Sequence, residues 1–344
     1  MGRIRLLRFF IGLILVSSVF TRFAVAPVSA QTTNSNAAQG IEISPALVEL
    51  NAARGKDYNI TLMITNVTAS DLAYSSSVND FRASDESGSP HIIMDDELTL
   101  PATASVKTWV DILPQFTLQA KKSETVNVKI VVPTDAEPGG HYGVLSFTGT
   151  APELTDNSVG LSASAGVLLL IRVDGAITEK ANLAEFYSQQ GGKQSWFFET
   201  SSKDSPITFV TRIQNEGNIH IKPVGSIELR DMFGGIVSTL TVNGEKSNVL
   251  PTSIRRFESQ YNSDWMIGRY TANLTLGYGT TGQAITNTIS FWVIPYKIIL
   301  AGILVLVTII YILSRMIKVY NRHIINKAKN EGSIKNKKHK KTSG

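Results

Sequence analysis

From Ile41 to Val293 apolar residues recur at every second position, and that period decides what this chain can fold into. Ile60, Leu62 and Ile64 share one face of a stretch. Val126, Val128 and Ile130 alternate with Asn127 and Lys129, and Ala272, Leu274 and Leu276 alternate with Asn273 and Thr275. Ile289, Phe291 and Val293 lie opposite Thr288, Ser290 and Trp292. Side chains of an extended strand point to opposite faces in turn, so each run predicts a strand with one face in a core. Val167–Val173 is almost continuously apolar, which predicts a strand covered on both faces. Turn formers cut the runs short at Arg54-Gly55, Glu86-Ser87-Gly88, Pro138-Gly139-Gly140, Asp174-Gly175, Gly191-Gly192, Gly234-Gly235 and Asn243-Gly244. No long helix-period stripe precedes Ile294. The predicted fold class is all-β: two tandem immunoglobulin-like β-sandwiches, followed by one C-terminal transmembrane helix.

Length sets the number of sandwiches. Residues 41–175 and 176–293 each come close to the roughly 100 residues of one such domain. A weak internal repeat supports a boundary at Asp174-Gly175. Asn66 ends an alternating strand in the first half, and Asn215 ends one in the second. Later, Gly140-His141-Tyr142 precedes a strand, as Gly268-Arg269-Tyr270 does. Tyr142 and Tyr270 then sit where a tyrosine corner would, so Asn66, Tyr142, Asn215 and Tyr270 are read as structural residues.

The two ends fix the topology. Arg3, Arg5 and Arg8 precede the apolar Phe9–Phe20, and Val28-Ser29-Ala30 offers the small residues a signal peptidase reads. Residues 1–30 are therefore a signal peptide, with an uncleaved signal anchor as the alternative. Residues 31–40 form a polar, flexible leader. Ile294 to Leu313 is a run of 20 residues whose only charge is Lys297, long enough at about 1.5 Å per residue to cross a bilayer. The expected span is 294–314. The tail, 315–344, carries ten Lys/Arg and one acid, Glu331, which places it in the cytoplasm. The layout is that of a single-pass type I protein of the cell membrane, with its N-terminal domains extracellular.

The net charge of +5 comes from those ends. Residues 31–314 hold 19 Lys/Arg against 27 Asp/Glu, a balance of −8, which speaks against nucleic acid as a partner. With no cysteine in the chain, disulfides, thiolate metal sites and cysteine nucleophiles are excluded. His91, His141 and His220 fall in separate predicted elements without metal-ligand spacing. No nucleophile elbow or phosphate loop is present. The expectation is no catalytic residues, no metal and no cofactor. One loop is loaded with carboxylates: Asp80, Asp85, Glu86, Asp95, Asp96 and Glu97. It is the candidate contact loop for a partner, or for Ca²⁺ through oxygen ligands, although the D-x-D-x-D-G register is missing.

Three short motifs carry a resemblance. They are Ile43-Ser44-Pro45-Ala46, then Ile64-Thr65-Asn66, then the stretch from Pro133 through Pro138-Gly139-Gly140-His141-Tyr142-Gly143. Together with the layout, they make the chain resemble the WxL-interacting proteins of bacterial cell surfaces. That resemblance implies a peptidoglycan-binding first domain and a partner-binding second one. The chain departs from the family at Asn79–Gly88, where Asp80-Phe81-Arg82-Ala83-Ser84-Asp85-Glu86 replaces an Asn/Gly-rich segment. The expected function is non-catalytic binding of cell-wall polymer or of another surface or secreted protein. The alternative is a membrane-tethered, chaperone-like assembly factor that pairs strands with exported or pilus proteins. That alternative requires an unpaired edge strand in the first domain.

Overall fold

The computed structural model describes residues 40–94, 100–150, 162–200, 204–263 and 266–339. The signal peptide and the leader up to Gln39 lie outside them. Gly40, expected in the leader, is already buried, close against the Ala163 side chain.

The first sandwich contains β1 (Ile41–Ser44), β2 (Leu47–Ala52), β3 (Asp57–Asn66), β4 (Leu72–Ala83), β5 (Pro90–Ile92), β6 (Phe116–Leu118), β7 (Ser123–Val131), β8 (Gly139–Thr150) and β9 (Ser162–Val173). One sheet runs β1-β3-β7. The other runs β2-β9-β8-β4, with β5 and β6 at opposite ends of β4's far edge. The chain changes sheets at Ser44-Pro45, a cis peptide bond: β1 pairs antiparallel with β3, and β2 then pairs parallel with β9. Leu62, Ile64, Val128 and Ile130 from one sheet meet Leu145, Phe147, Leu169 and Ile171 from the other, with Tyr74 and Trp109 filling the space between.

The second sandwich contains β10 (Ala181–Gln190), β11 (Lys193–Gln194), β12 (Phe197–Phe198), β13 (Ile207–Asn215), β14 (Val224–Arg230), β15 (Ile236–Val242), β16 (Ile254–Tyr261), β17 (Gly268–Tyr278) and β18 (Gln283–Val293). Its sheets run β11-β10-β13-β16 and β12-β18-β17-β14-β15. Phe291 centres the core, with ring centroids 5.6 Å from both Phe198 and Phe209 and 5.8 Å from Tyr270. Two all-β sandwiches and one apolar helix, α1 (Tyr296–His339), make up the described fold. The helix starts two residues later than the expected span. Ile294 still belongs to the sandwich, donating its N–H to Phe198 O at 2.9 Å, and Pro295 accepts the first helical bonds. The basic tail does not begin as a separate segment, because the helix runs on through it to His339.

The repeat is visible atom by atom at the two asparagines. Asn66 Nδ2 donates to Ser70 O at 2.8 Å and Leu118 O at 3.1 Å, while its Oδ1 accepts Thr68 N at 2.9 Å. Asn215 Nδ2 donates to Ile219 O at 2.8 Å and Val249 O at 2.8 Å, while its Oδ1 accepts Gly217 N at 2.9 Å. Both side chains are fully buried, and each amide supplies partners to the turn after its strand and to a distant loop. The tyrosines do not match in the same way. Gly139 opens β8 opposite Val173, and Gly268 opens β17 opposite Val293, each with a positive φ (130° and 102°). Counted from those glycines, the counterpart of Tyr270 is His141. Tyr142 falls one residue later, on the other face of the sheet, so it is no tyrosine corner.

Candidate functional site

That slip places Tyr142 at the junction between the sandwiches. On the outer face of the second sheet, Phe81, Val144 and Leu170 are buried, with Tyr142 and Leu168 beside them. Leu250 of the second sandwich packs onto this cluster. The continuous apolar run Val167–Val173 therefore has its two covers: the first core on one face and the second domain on the other. Tyr142 Oη lies 3.3 Å from His220 Nδ1, and burial pushes the phenol well above its ordinary range. Burial also lowers the His220 imidazole below its usual value. The Lys222 and Arg172 charges add to that effect, and Glu49 opposes it.

Polar contacts complete the junction. Gly140 donates its N–H to Asn218 O at 2.8 Å. Glu49 accepts Lys222 Nζ at 2.6 Å and Asn248 Nδ2 at 2.9 Å. Burial raises the Glu49 carboxyl, but these two bonds and the Lys222 charge bring it below the ordinary range.

Of the carboxylate loop, the described members Asp80, Asp85 and Glu86 do not converge on one point, and Glu86 belongs to this junction. Asp80 is buried inside the first sandwich, accepting Ser105 Oγ at 2.5 Å and Lys107 N at 3.3 Å. Asp85 caps its own turn through Ser87 N and Oγ, at 2.8 and 2.6 Å. Glu86 reaches the second sandwich: Arg212 grips it with two bonds, Nε to Oε2 at 2.8 Å and Nη2 to Oε1, and Arg256 N donates to its main-chain oxygen at 2.8 Å. The Arg212 guanidinium holds the Glu86 carboxyl low. Three carboxylates with three separate tasks do not make the shared oxygen cage that Ca²⁺ requires. Asp95, Asp96 and Glu97 lie outside the described residues. Among the described residues, no group of three or more His, Asp or Glu side chains is placed to hold a metal.

Sequence reasoning missed Arg212 and Glu49, and weighed His220 only as a metal ligand or base, not as a junction residue. Their partners are distant in the chain, Arg212 and Glu86 by 126 positions, so no local pattern marks them.

The second surface is an edge. β8 pairs with β9 over its whole length, from Thr150↔Ser162 to Gly139↔Val173. On the other side, β2 covers only Leu168–Val173. Leu168 N donates to Ala46 O and Asp174 N to Ala52 O, so the even-numbered residues turn their backbone groups toward that side. Ser162, Ser164 and Gly166 therefore present N–H and C=O groups that no backbone group pairs among the described residues. All three are exposed. Protected edges usually carry a charge or a proline, and this one reads Ser162-Ala163-Ser164-Ala165-Gly166-Val167.

No family model matches the chain, and no curated protein matches it. It is similar to the solved class 5 fimbriae chaperone CfaA, at 10% identity over 72% of this chain and 98% of that one, TM-score 0.38. It is also similar to a Salmonella enterica SafA pilin–SafB chaperone structure, at 14% identity over 74% and 96%, TM-score 0.33. A third is a Porphyromonas gingivalis W83 protein of unknown function, at 16% identity over 72% and 98%, TM-score 0.28.

The three short motifs singled out in the sequence all have structural tasks here. Ile43–Ala46 is the sheet change, Ile64–Asn66 the buried asparagine latch, and Pro133–Gly143 the turn into β8.

Proposed function

We propose that this protein is a membrane-anchored, non-catalytic assembly factor that holds an extended segment of an exported partner along the open edge of β9. The α1 helix crosses the membrane, the basic tail faces the cytoplasm and both sandwiches lie outside. The carrying observation is the unpaired half of β9. An incoming strand would find backbone donors and acceptors at Ser162, Ser164 and Gly166, and no charge stands in the way before Arg172. The well-tied junction holds that edge fixed in relation to the anchor. Membership of the WxL-interacting family is part of the same proposal, with a surface protein rather than a wall polymer as the partner.

The test uses the full-length protein in its own membrane, with a photo-crosslinking amino acid at Ser164. Crosslinks to an exported polypeptide are expected from Ser164 and not from Asn59 on β3. The Ser164→Pro variant removes one outward N–H without breaking the β8 pairing, so it should fold normally and lose the crosslink. Equal crosslinking with and without the proline, or crosslinks to glycan alone, would overturn the proposal.

A further inference from the structure

The exposed apolar side chains of the second sandwich gather at one end. In the first sandwich, Leu47, Met63, Met94, Ile112 and Val131 are exposed on five different segments. In the second, the β14–β15 turn exposes Met232, Phe233 and Ile236, with Phe233 89% accessible. Ile267 is exposed just before β17, Trp292 near the end of β18, and Trp196, 71% accessible, on the strap before β12. Strand register puts all of these at the same end. Gly268 lies opposite Val293, and Arg230 lies opposite Thr271, so the turn after Arg230 overhangs to the level of Gly268. The Met232 methyl group occupies the space that a Cβ on Gly268 would need. Trp292 N donates to Trp196 O at 2.8 Å, which draws the strap into the same group.

This is also the end from which α1 leaves. Only Ile294 and Pro295 separate β18 from the helix, so there is no linker to hold the sandwich away from the bilayer. Two of the acids near this end have partners. Glu199 pairs with Lys297 at 2.9 Å, and Asp231 accepts Phe233 N and Gly235 N within its own turn, both at 2.9 Å. Exposed apolar and aromatic side chains suit the interfacial zone of a membrane, where tryptophan rings are favoured. A patch of this kind left in water would be an aggregation liability.

We infer that the second sandwich rests on the lipid surface, with Phe233, Met232, Ile267 and the Trp196–Trp292 pair seated in the outer headgroup layer. The membrane would then orient the sandwiches, and the β9 edge with them. The inference depends on α1 being a membrane span, and the test separates the two.

The chain has no cysteine, so single cysteines can carry a nitroxide without further changes. Full-length Phe233→Cys, Thr281→Cys and Leu304→Cys variants are labelled and reconstituted in phosphatidylcholine–phosphatidylglycerol nanodiscs. Collision rates with oxygen, which partitions into lipid, are compared with those of a water-soluble nickel chelate. Positions 233 and 304 should favour oxygen several-fold. Position 281, in the turn at the opposite end of the sandwich, should favour the chelate. If 233 behaves like 281 while 304 favours oxygen, the lipid-contact proposal is wrong and the span stands. If 304 also behaves like 281, the span itself is wrong. Shielding of 233 from both reagents would mean that a protein covers the patch, which also overturns the proposal.

Discussion

The two sandwiches share a frame and differ in what the outer face of one hairpin does. Both bury an asparagine with the same set of bonds, and both open the hairpin with a left-handed glycine opposite a valine. Two residues inward from that glycine, each buries a ring against an aromatic neighbour: His141 on Trp109 at 4.5 Å, and Tyr270 on Phe291 at 5.8 Å. The His141 nitrogens face Ala104 O and Glu137 O at 2.9 and 2.8 Å, tying two loops together. One residue further on, the domains diverge. In the first, Tyr142 joins the apolar face that docks the second domain. In the second, Thr271 takes that place; its Oγ1 lies 3.4 Å from Ser290 Oγ, which also accepts Arg269 Nη2 at 3.1 Å on the same, solvent-facing side. The lesson is that inward-facing positions preserve the frame, while alternate positions on the same strands are free to be put to use.

The largest expected effect tests the shared frame. Asn66→Ala or Asn215→Ala leaves several buried backbone groups without partners, and each variant should lose about 3 kcal/mol of stability. Denaturant unfolding followed by Trp109 fluorescence, in a background with Trp196, Trp265 and Trp292 replaced by Phe, should show Asn66→Ala acting on the first sandwich. A loss in one variant only would break the equivalence of the two latches.

Next comes the contrast between the faces. Tyr142→Ala opens a gap at the junction and should cost roughly 2 kcal/mol, with the domains loosened in solution scattering. Arg269→Ala, on the corresponding face of the second sandwich, should stay within about 0.5 kcal/mol. Equal costs would show that Tyr142 has no special place.

The smallest effect is that of pH. The His220 imidazole is lowered in the folded state, so the unfolded chain binds its proton more readily. Stability from this group is fully present above the unfolded value of about 6.5 and falls as pH drops below it. Glu49, also lowered, adds a second loss at more acid pH, near the ordinary carboxylate range. Melting temperature followed from pH 8 downward should decline below that first value, and His220→Gln should flatten this part of the curve. An unchanged slope would remove His220 from the junction's energetics.

The strands were legible because a period of two is local: Ile60, Leu62 and Ile64 announce their face within five residues. The buried asparagines were legible too, since each closes such a strand. The tyrosine alignment misled for a local reason. Gly139 and Gly140 stand side by side, and only pairing with Val173 selects which of them opens the strand. The carboxylate loop was conspicuous in sequence, yet its composition does not say that Asp80 turns inward, Asp85 caps a turn and Glu86 crosses to Arg212.

By itself, the sequence determined the all-β class, the apolar helix and the charge asymmetry at the ends, because these depend on near neighbours and on composition. The tertiary structure decided which sheet edge is left open, how the domains lock and which end of the second sandwich gathers its exposed apolar residues. Those features depend on strand register and on partners more than a hundred positions apart, and no local pattern encodes either.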